Sequence, residues 1–356
     1  MISPARDLAF RVLKKVHGGG YASDLLRHEG TSLDTRDAGL AEAIVMGVLR
    51  YQGQLDFLIG YFAGRKQPKL DAVDNRDVRV ALHMGIYQLR YLDRIPPHAA
   101  VMESVELVKA TKHASAGFVN AVLRKVHRNP VKWPDRATEL SLPPWMLARW
   151  DKQFGIEAAE KIARAALVEP DVNINPETGR QQDVGAQTIV PLLAIEPGMT
   201  FLDLCAAPGN KTAQAIAAGA RVVACDRYLK RILDVPDTAA RVVLDATQPL
   251  PFAKKFDRIL IDAPCSGTGT LGRNPEIKWR LKPGDANIFS TRQRNILDQA
   301  RRFMKPGGRI VYSTCSLENE ENQNVVKSLR LRAETHLRLP GRDPGDGFFS
   351  AVITLV

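Results

Sequence analysis

The sequence predicts an all-α domain followed by an α/β domain with a mostly parallel sheet, and three observations carry that prediction. Up to about residue 128, apolar residues recur at i, i+3 and i+4, the buried stripe of amphipathic helices. From residue 186 onward, short apolar runs alternate with helical stretches, the pattern of a parallel sheet covered on both faces. Small residues, prolines and acids follow several of those runs, at the strand ends where an open α/β sheet binds ligands.

In the first domain, residues 5–16 place Leu8, Ala9, Val12, Leu13 and Val16 on one helix face, and Gly18-Gly19-Gly20 ends the helix. Residues 36–49 repeat the pattern through Leu40, Ile44, Val45 and Val48. Separate helices are expected at 55–62, 77–91 and 99–112, and 116–126 closes the set. Residues 129–185 read as a connector. Asn129-Pro130 and Pro143-Pro144 mark turns in it, helices are expected at 144–150 and 156–167, and the polar stretch 171–183 is expected to be irregular.

The second domain, 186–356, opens with a helix at 186–193 and a strand at 200–204. A helix at 212–218 and strands at 221–225, 241–244 and 256–261 follow. Next come a helix at 291–304, a strand at 309–312 and a helix at 324–331. Strands at 336–339 and 349–356, joined by the Gly- and Pro-rich stretch 340–347, are expected as an antiparallel pair at one sheet edge.

Composition narrows the function classes. A net charge of +11 favours a polyanionic partner, because phosphate binding releases counterions. No apolar run approaches the roughly 20 residues of a membrane span, and residues 1–7 lack the layout of a signal peptide. A cytoplasmic, monomeric protein is expected. Its four cysteines include no CxxC pair, which argues against a disulfide framework and a zinc site. No metal is expected.

The chemistry concentrates at strand ends. The turn Asp203-Leu204-Cys205-Ala206-Ala207-Pro208-Gly209-Asn210-Lys211-Thr212 joins a strand to a helix. A phosphate-binding P-loop would need glycine where Cys205 and Asn210 stand, and a dinucleotide fingerprint finds only Gly209. A cationic cofactor without phosphates, S-adenosylmethionine, fits better, because Asp203, Asp226, Asp245 and Asp262 close successive strands with carboxylates. Cys265, in Asp262-Ala263-Pro264-Cys265-Ser266-Gly267, follows the strand that Asp262 closes, and Cys315, in Tyr312-Ser313-Thr314-Cys315-Ser316, follows a further strand end. Two thiols there suit covalent catalysis on a cytosine. A thiolate adding to carbon 6 makes carbon 5 nucleophilic toward a methyl group, and an acid near N3 stabilises the developing charge. No histidine lies between His127 and His336, so a Cys-His hydrolase pair is disfavoured.

Residues 203–212, the segment 262–267 with Asn274-Pro275-Glu276-Ile277-Lys278-Trp279, and the segment 312–316 with Glu320-Glu321-Asn322 resemble the Sun/RsmB (Fmu) family of RNA cytosine-5 methyltransferases. Residues 6–16, 36–51 and 118–128 resemble the NusB-like RNA-binding domain of its ribosomal branch. The resemblance implies a Rossmann-like class I methyltransferase domain after a NusB-like domain, with S-adenosylmethionine as cofactor and small-subunit ribosomal RNA as substrate. It implies Cys315 as nucleophile and Cys265 as the helper in product release, with Asp262 and Lys211 bordering the base. The cofactor set would be Asp203, Cys205, Ala206, Ala207, Pro208, Gly209, Asn210, Lys211, Asp226, Asp245 and Asp262.

Three departures stand out. Asn210 replaces a usual glycine, a change expected to be tolerated because Asn visits left-handed backbone conformations. The short stretch from Asp226 to Asp245 allows only a short helix, and 171–183 is shorter than the RNA-contacting subdomain of relatives. Two rival readings are a non-catalytic RNA-binding or antitermination factor and a transfer-RNA cytosine-5 methyltransferase.

Overall fold

The computed structural model describes residues 2–64 and 76–354, so the end of the expected strand 349–356 lies outside it. The chain forms two compact units, Met1–Leu167 with Asn274–Arg280, and Val168–Arg273 with Leu281–Val356. The division at residue 167 falls inside the expected connector.

The first unit is helical, as its apolar periodicity requires. Helices α1 (Pro4–His17), α2 (Ala22–Glu29), α3 (Thr35–Ala63), α4 (Arg76–Tyr91), α5 (Pro97–Lys112) and α6 (Ala116–Leu123) build its core. The short α7 (Arg136–Glu139), then α8 (Pro144–Phe154) and α9 (Ile156–Ala165), complete it. The predicted stripe of α1 is buried, with Leu8, Val12 and Leu13 packed against Ile44, Val45 and Val48 in one apolar cluster. A buried ion pair, Arg6 to Glu103 at 2.8 Å, joins α1 to α5.

One expectation is corrected here. The helices expected at 36–49 and 55–62 are a single 29-residue α3. Gly53, in the gap between those two expected helices, lies inside it and is closely packed. A Cβ at Gly53 would stand 3.1 Å from the Trp279 ring and 3.2 Å from Ser141 Cα. Tertiary packing overrides glycine's low helix propensity.

Trp279 reaches α3 because residues 274–280, ending in the short helix α13 (Ile277–Arg280), fold as part of the helical unit. Its indole N–H donates to Leu49 O at 2.7 Å, and Lys278 Nζ donates to Arg50 O at 2.7 Å. Glu276 Oε1 accepts the Ala22 N–H at 3.0 Å, serving the start of α2, where Tyr21 provides no side-chain cap. Arg280 donates to Val16 O at 3.1 Å and also to Gly20 O.

The second unit carries seven strands: β1 (Thr200–Asp203), β2 (Arg221–Asp226), β3 (Ala240–Val243), β4 (Phe256–Asp262), β5 (Met304–Thr314), β6 (Ala333–Arg338) and β7 (Phe348–Thr354). Their order is β3-β2-β1-β4-β5-β7-β6. The strands from β3 to β5 are parallel to their neighbours, and β7 runs antiparallel to both β5 and β6, so the expected antiparallel edge is present. Each face is covered by its own apolar cluster, one around Leu202, Ile259, Ile261 and Tyr312, the other around Phe201, Ala224, Leu260 and Val311. Alternation along β4 sends Ile259 and Ile261 to one face and Leu260 to the other.

The remaining elements are α10 (Val184–Gln187), α11 (Asn210–Ala217), α12 (Leu229–Ile232), α14 (Asp285–Arg301) and α15 (Gln323–Ser328). Two adjustments to the reading follow. The helix expected at 186–193 is split into α10 and a 3-10 turn, Val190–Leu193, with Pro191 near its start. The helix expected at 291–304 starts earlier, at Asp285, and yields its last residues to β5. As expected, only the four-residue α12 fits between β2 and β3. No described helix is long and apolar enough to cross a membrane.

Lys278 generates a testable consequence. Burial, reinforced by the Arg50 charge, lowers its pKa to about 7. An exposed lysine titrates near ~10.4, so between these values the folded state binds fewer protons and stability rises with pH. The denaturation midpoint of the helical unit should climb from pH 7 to pH 10 and level off below 7. Lys278→Met should flatten that climb, and an unchanged profile in the variant would contradict the assignment.

Candidate active site

The loops after β1, β2, β4 and β5 converge at the carboxyl edge of the sheet. The parallel pairing of β4 with β5 sets Asp262 opposite Ser313, and the Ser313 hydroxyl donates to Asp262 Oδ1 at 2.9 Å. Lys211, in the first turn of α11, donates to Asp262 Oδ2 at 2.6 Å. Burial opposes the Lys211 charge, but the Asp262 carboxylate outweighs it, with help from Cys315 and Asp203, and the pKa rises. The ammonium therefore stays protonated.

From this pair the chain continues to both thiols. Cys265 lies three residues past β4 and Cys315 directly follows β5, and their sulfur atoms are 3.3 Å apart. The sulfur–sulfur hydrogen bond raises the Cys265 pKa, followed by burial and the charges of Cys315 and Glu321. The two thiols are therefore hydrogen-bonded to each other, and either sulfur can be the donor. Cys205 and Cys225 also have raised pKa values, chiefly through burial, and neither is set up as a nucleophile.

Two cavities flank Asp262. One, of about 370 Å³, is lined by Asp203, Cys205, Ala206, Ala207, Pro208, Asn210, Lys211 and Asp262, together with Phe348. The other, of about 230 Å³, is lined by Cys205, Ala207, Asp226, Asp245 and Asp262. Cys205, Ala207 and Asp262 face both. The second cavity includes Pro264, although neither Cys265 nor Cys315 lines either wall. Asp226 ends β2 and holds the Tyr228 N–H at 2.9 Å. Asp245 lies two residues beyond β3, and its pKa is lowered chiefly by the Thr247 hydroxyl. Gly209 lines neither cavity. Its φ of +96° makes the turn into α11, and a Cβ there would meet Val235 Cα at 2.8 Å.

Asn210 corrects a reading of the loop. It is absent from the non-glycine residues with positive φ and lies inside α11, so left-handed freedom is not what admits it. Its side chain accepts from Arg180 Nε at 2.8 Å and donates to Gln181 O at 2.9 Å. The stretch 171–183 thus packs its far end onto the loop. An isolated bridge between Ile174 and Gln181 orders a stretch that reads as irregular.

Comparison with known proteins follows this layout. Residues 190–344 match the model of the 16S rRNA methyltransferases RsmB/F, and residues 3–128 match that of the NusB family. Ribosomal RNA small subunit methyltransferase B of Klebsiella pneumoniae (strain 342) is 31% identical over 422 aligned positions, covering 97% of either chain. The chain belongs to the RsmB/F family. The probable small subunit methyltransferase B of Bacillus subtilis (strain 168) is 30% identical, over 90% of this chain and 87% of its own. The solved structure of PH0851 shares the fold along the whole of both chains, with a TM-score of 0.77 at 20% identity. An alignment of 422 positions against 356 residues means that this RsmB/F member lacks stretches its relative carries.

Sequence reasoning missed several members of this RsmB/F site. Glu321, Ser266, Ser316 and Gln293 form a buried network behind the thiols. Arg273 joins Asp183 at 2.9 Å to Asp346 at 2.8 Å on the wall of the larger cavity. Strand-end position found the cysteines and aspartates. These other residues sit in loops or on a helix, where no periodicity marks them.

Asp203 is the most strained charge in the site. The Thr212 hydroxyl donates to its Oδ2 at 2.7 Å, while the buried Oδ1 has no partner among the described residues. Burial, the largest cause, pushes its pKa up to about 7. An unfolded aspartate titrates near ~3.9, so the stability tied to Asp203 is present below that value and lost as pH rises through about 7. Without ligand, Asp203→Asn should therefore be more stable than the wild type at pH 8, by a few kcal/mol at most, on the order of the ~1.4 kcal/mol per pKa unit. The advantage should fade toward pH 4. Urea denaturation at both values checks this, and an equal difference at each would contradict it.

Proposed function

We propose that this protein is an S-adenosylmethionine-dependent RNA cytosine-5 methyltransferase that acts on small-subunit ribosomal RNA through a covalent intermediate on Cys315. The observation that carries the reading is the ordered thiol pair. The Cys265 and Cys315 sulfurs stand 3.3 Å apart in hydrogen-bond contact, and that contact raises the Cys265 pKa, beside the Lys211–Asp262 ion pair.

The residues present fit the cofactor. Buried Asp203 offers an oxygen without a partner among the described residues, its pKa raised chiefly by burial, and Asp226 and Asp245 line the adjoining cavity, where ribose hydroxyls and adenine would lie. When bound, S-adenosylmethionine supplies an electrophilic methyl group.

The chain's own groups supply the rest. The target cytosine leaves its stack to reach the strand ends. Cys315 Sγ forms a bond to carbon 6, and the protonated Lys211 with Asp262 stabilises the charge that develops toward N3. Carbon 5, now nucleophilic, would take the methyl group, whose carrier would leave as a neutral thioether. The C5 proton then passes to solvent, and its electron pair restores the 5,6 double bond as the carbon–sulfur bond breaks to return the Cys315 thiolate. Cys265 assists that release, since its S–H hydrogen bond stabilises the departing sulfur.

The net charge of +11 and the NusB-family helices support an RNA partner, and the relatives' names specify small-subunit ribosomal RNA. A non-catalytic binding role leaves the paired thiols without a purpose. Incubation with labelled cofactor and either protein-free ribosomal RNA or transfer RNA tests the substrate, with label expected in the ribosomal RNA. Cys315→Ala should lower methyl transfer by about a thousandfold or more, as loss of a covalent nucleophile does. Cys265→Ala should accumulate a protein–RNA adduct that survives denaturing electrophoresis. The reverse pattern would exchange the two roles, and unchanged 5-methylcytosine in ribosomal RNA of cells lacking the protein would count against the substrate.

A further inference from the structure

The loop after Cys315 contains a carboxylate that the reaction above leaves unused. Glu321 is fully buried and accepts four hydrogen bonds. Ser266 N–H donates to it at 2.9 Å, Gln293 Nε2 at 3.0 Å, the Ser316 hydroxyl at 2.7 Å, and the Ser266 hydroxyl completes the set. Ser266 directly follows Cys265, Ser316 directly follows Cys315, and their hydroxyls are 3.0 Å apart. One carboxylate thus grips both cysteine turns one residue past each sulfur. Gln293 also donates to Pro264 O at 3.0 Å, holding the residue that precedes Cys265.

All four donors are neutral, so desolvating the carboxylate is offset by hydrogen bonds alone. An apolar side chain would fill the same volume without that desolvation cost. Stability by itself therefore gives no reason for a carboxylate at this position, whereas linking two turns that lie far apart in sequence does.

We propose that Glu321 is a positioning residue that sets the separation of the two sulfur atoms by holding Ser266 and Ser316 together. The proposal deepens the reading of the thiol pair as the reaction centre and rests on it. The charge of Glu321 adds to the causes that keep the Cys265 proton in place.

Substitutions separate the grip from the charge. In Glu321→Gln the amide oxygen can still accept from Ser266 N–H and Gln293, and its NH₂ can donate to the two serine hydroxyls, which rotate to accept. Glu321→Ala removes the grip and leaves the Ser266 N–H buried and unpaired.

Phenylarsine oxide reads the sulfur separation directly. Its arsenic forms bonds to two neighbouring thiols, and the oxygen leaves as water with their two protons, with no change of oxidation state. The full-length protein, with Cys315→Ala as background, should bind the arsenical through Cys265 and Cys315. Glu321→Gln should retain that affinity, and Glu321→Ala should weaken it by about tenfold or more, the scale of a lost buried hydrogen bond. An alanine variant that chelates like the wild type overturns the proposal, as does a glutamine variant as weak as alanine. If Glu321→Ala does not fold, the Ser266→Ala/Ser316→Ala double variant, which withdraws two of the four donors, carries the same comparison. Chelation needs neither RNA nor cofactor, so it can fail while methyl transfer succeeds, or succeed while methyl transfer fails. The fate of this proposal is thereby separate from that of the proposed function.

Discussion

The register between β4 and β5 is the constraint on which the site depends. Asp262 faces Ser313 across the parallel ladder, so the two following loops leave the sheet at the same level and deliver their sulfurs to one point. A slip of one residue would turn each side chain to the opposite face, separating Asp262 from Lys211 and carrying the thiols apart. Both strands are interior, with β1 beyond β4 and β7 beyond β5. Paired neighbours on both sides hold that register in place.

Electrostatics runs against the average of the chain. A protein of net charge +11 gathers Asp203, Asp226, Asp245 and Asp262 along one sheet edge and answers them with Lys211. The global excess draws a polyanion toward the surface, while the local deficit makes the strand ends hospitable to a small cation. Burial, with the nearby Asp262 charge added, raises the pKa of Asp203 among them.

Much of this was legible in the sequence because strand ends are legible. The apolar runs locate the strands, and the residues just after them, Asp226, Asp262, Cys265 and Cys315, are the ones the sheet gathers. Local pattern failed where long-range packing decides the outcome. Residues 50–54 read as a gap between two helices, yet α3 runs through them, with Gly53 packed tightly beside Trp279 and Ser141. Asn210 reads as a stand-in for left-handed glycine, yet it is held by Arg180 and Gln181. Glu321 lies in a motif that was visible, but its role depends on Ser266, 55 residues away in sequence. No spacing rule connects them.

The segment 274–280 has a consequence for the order in which the protein can be made. It belongs to the helical unit, yet it is encoded after most of the strands of the other unit. While the nascent chain is shorter than this segment, the Ala22 N–H lacks Glu276, and the carbonyls of Val16, Leu49 and Arg50 lack Arg280, Trp279 and Lys278. These hydrogen bonds cannot form until translation passes residue 280. The N-terminal helices therefore emerge first but cannot be the first part completed, and the time to a finished helical unit is set by the elongation of the α/β half.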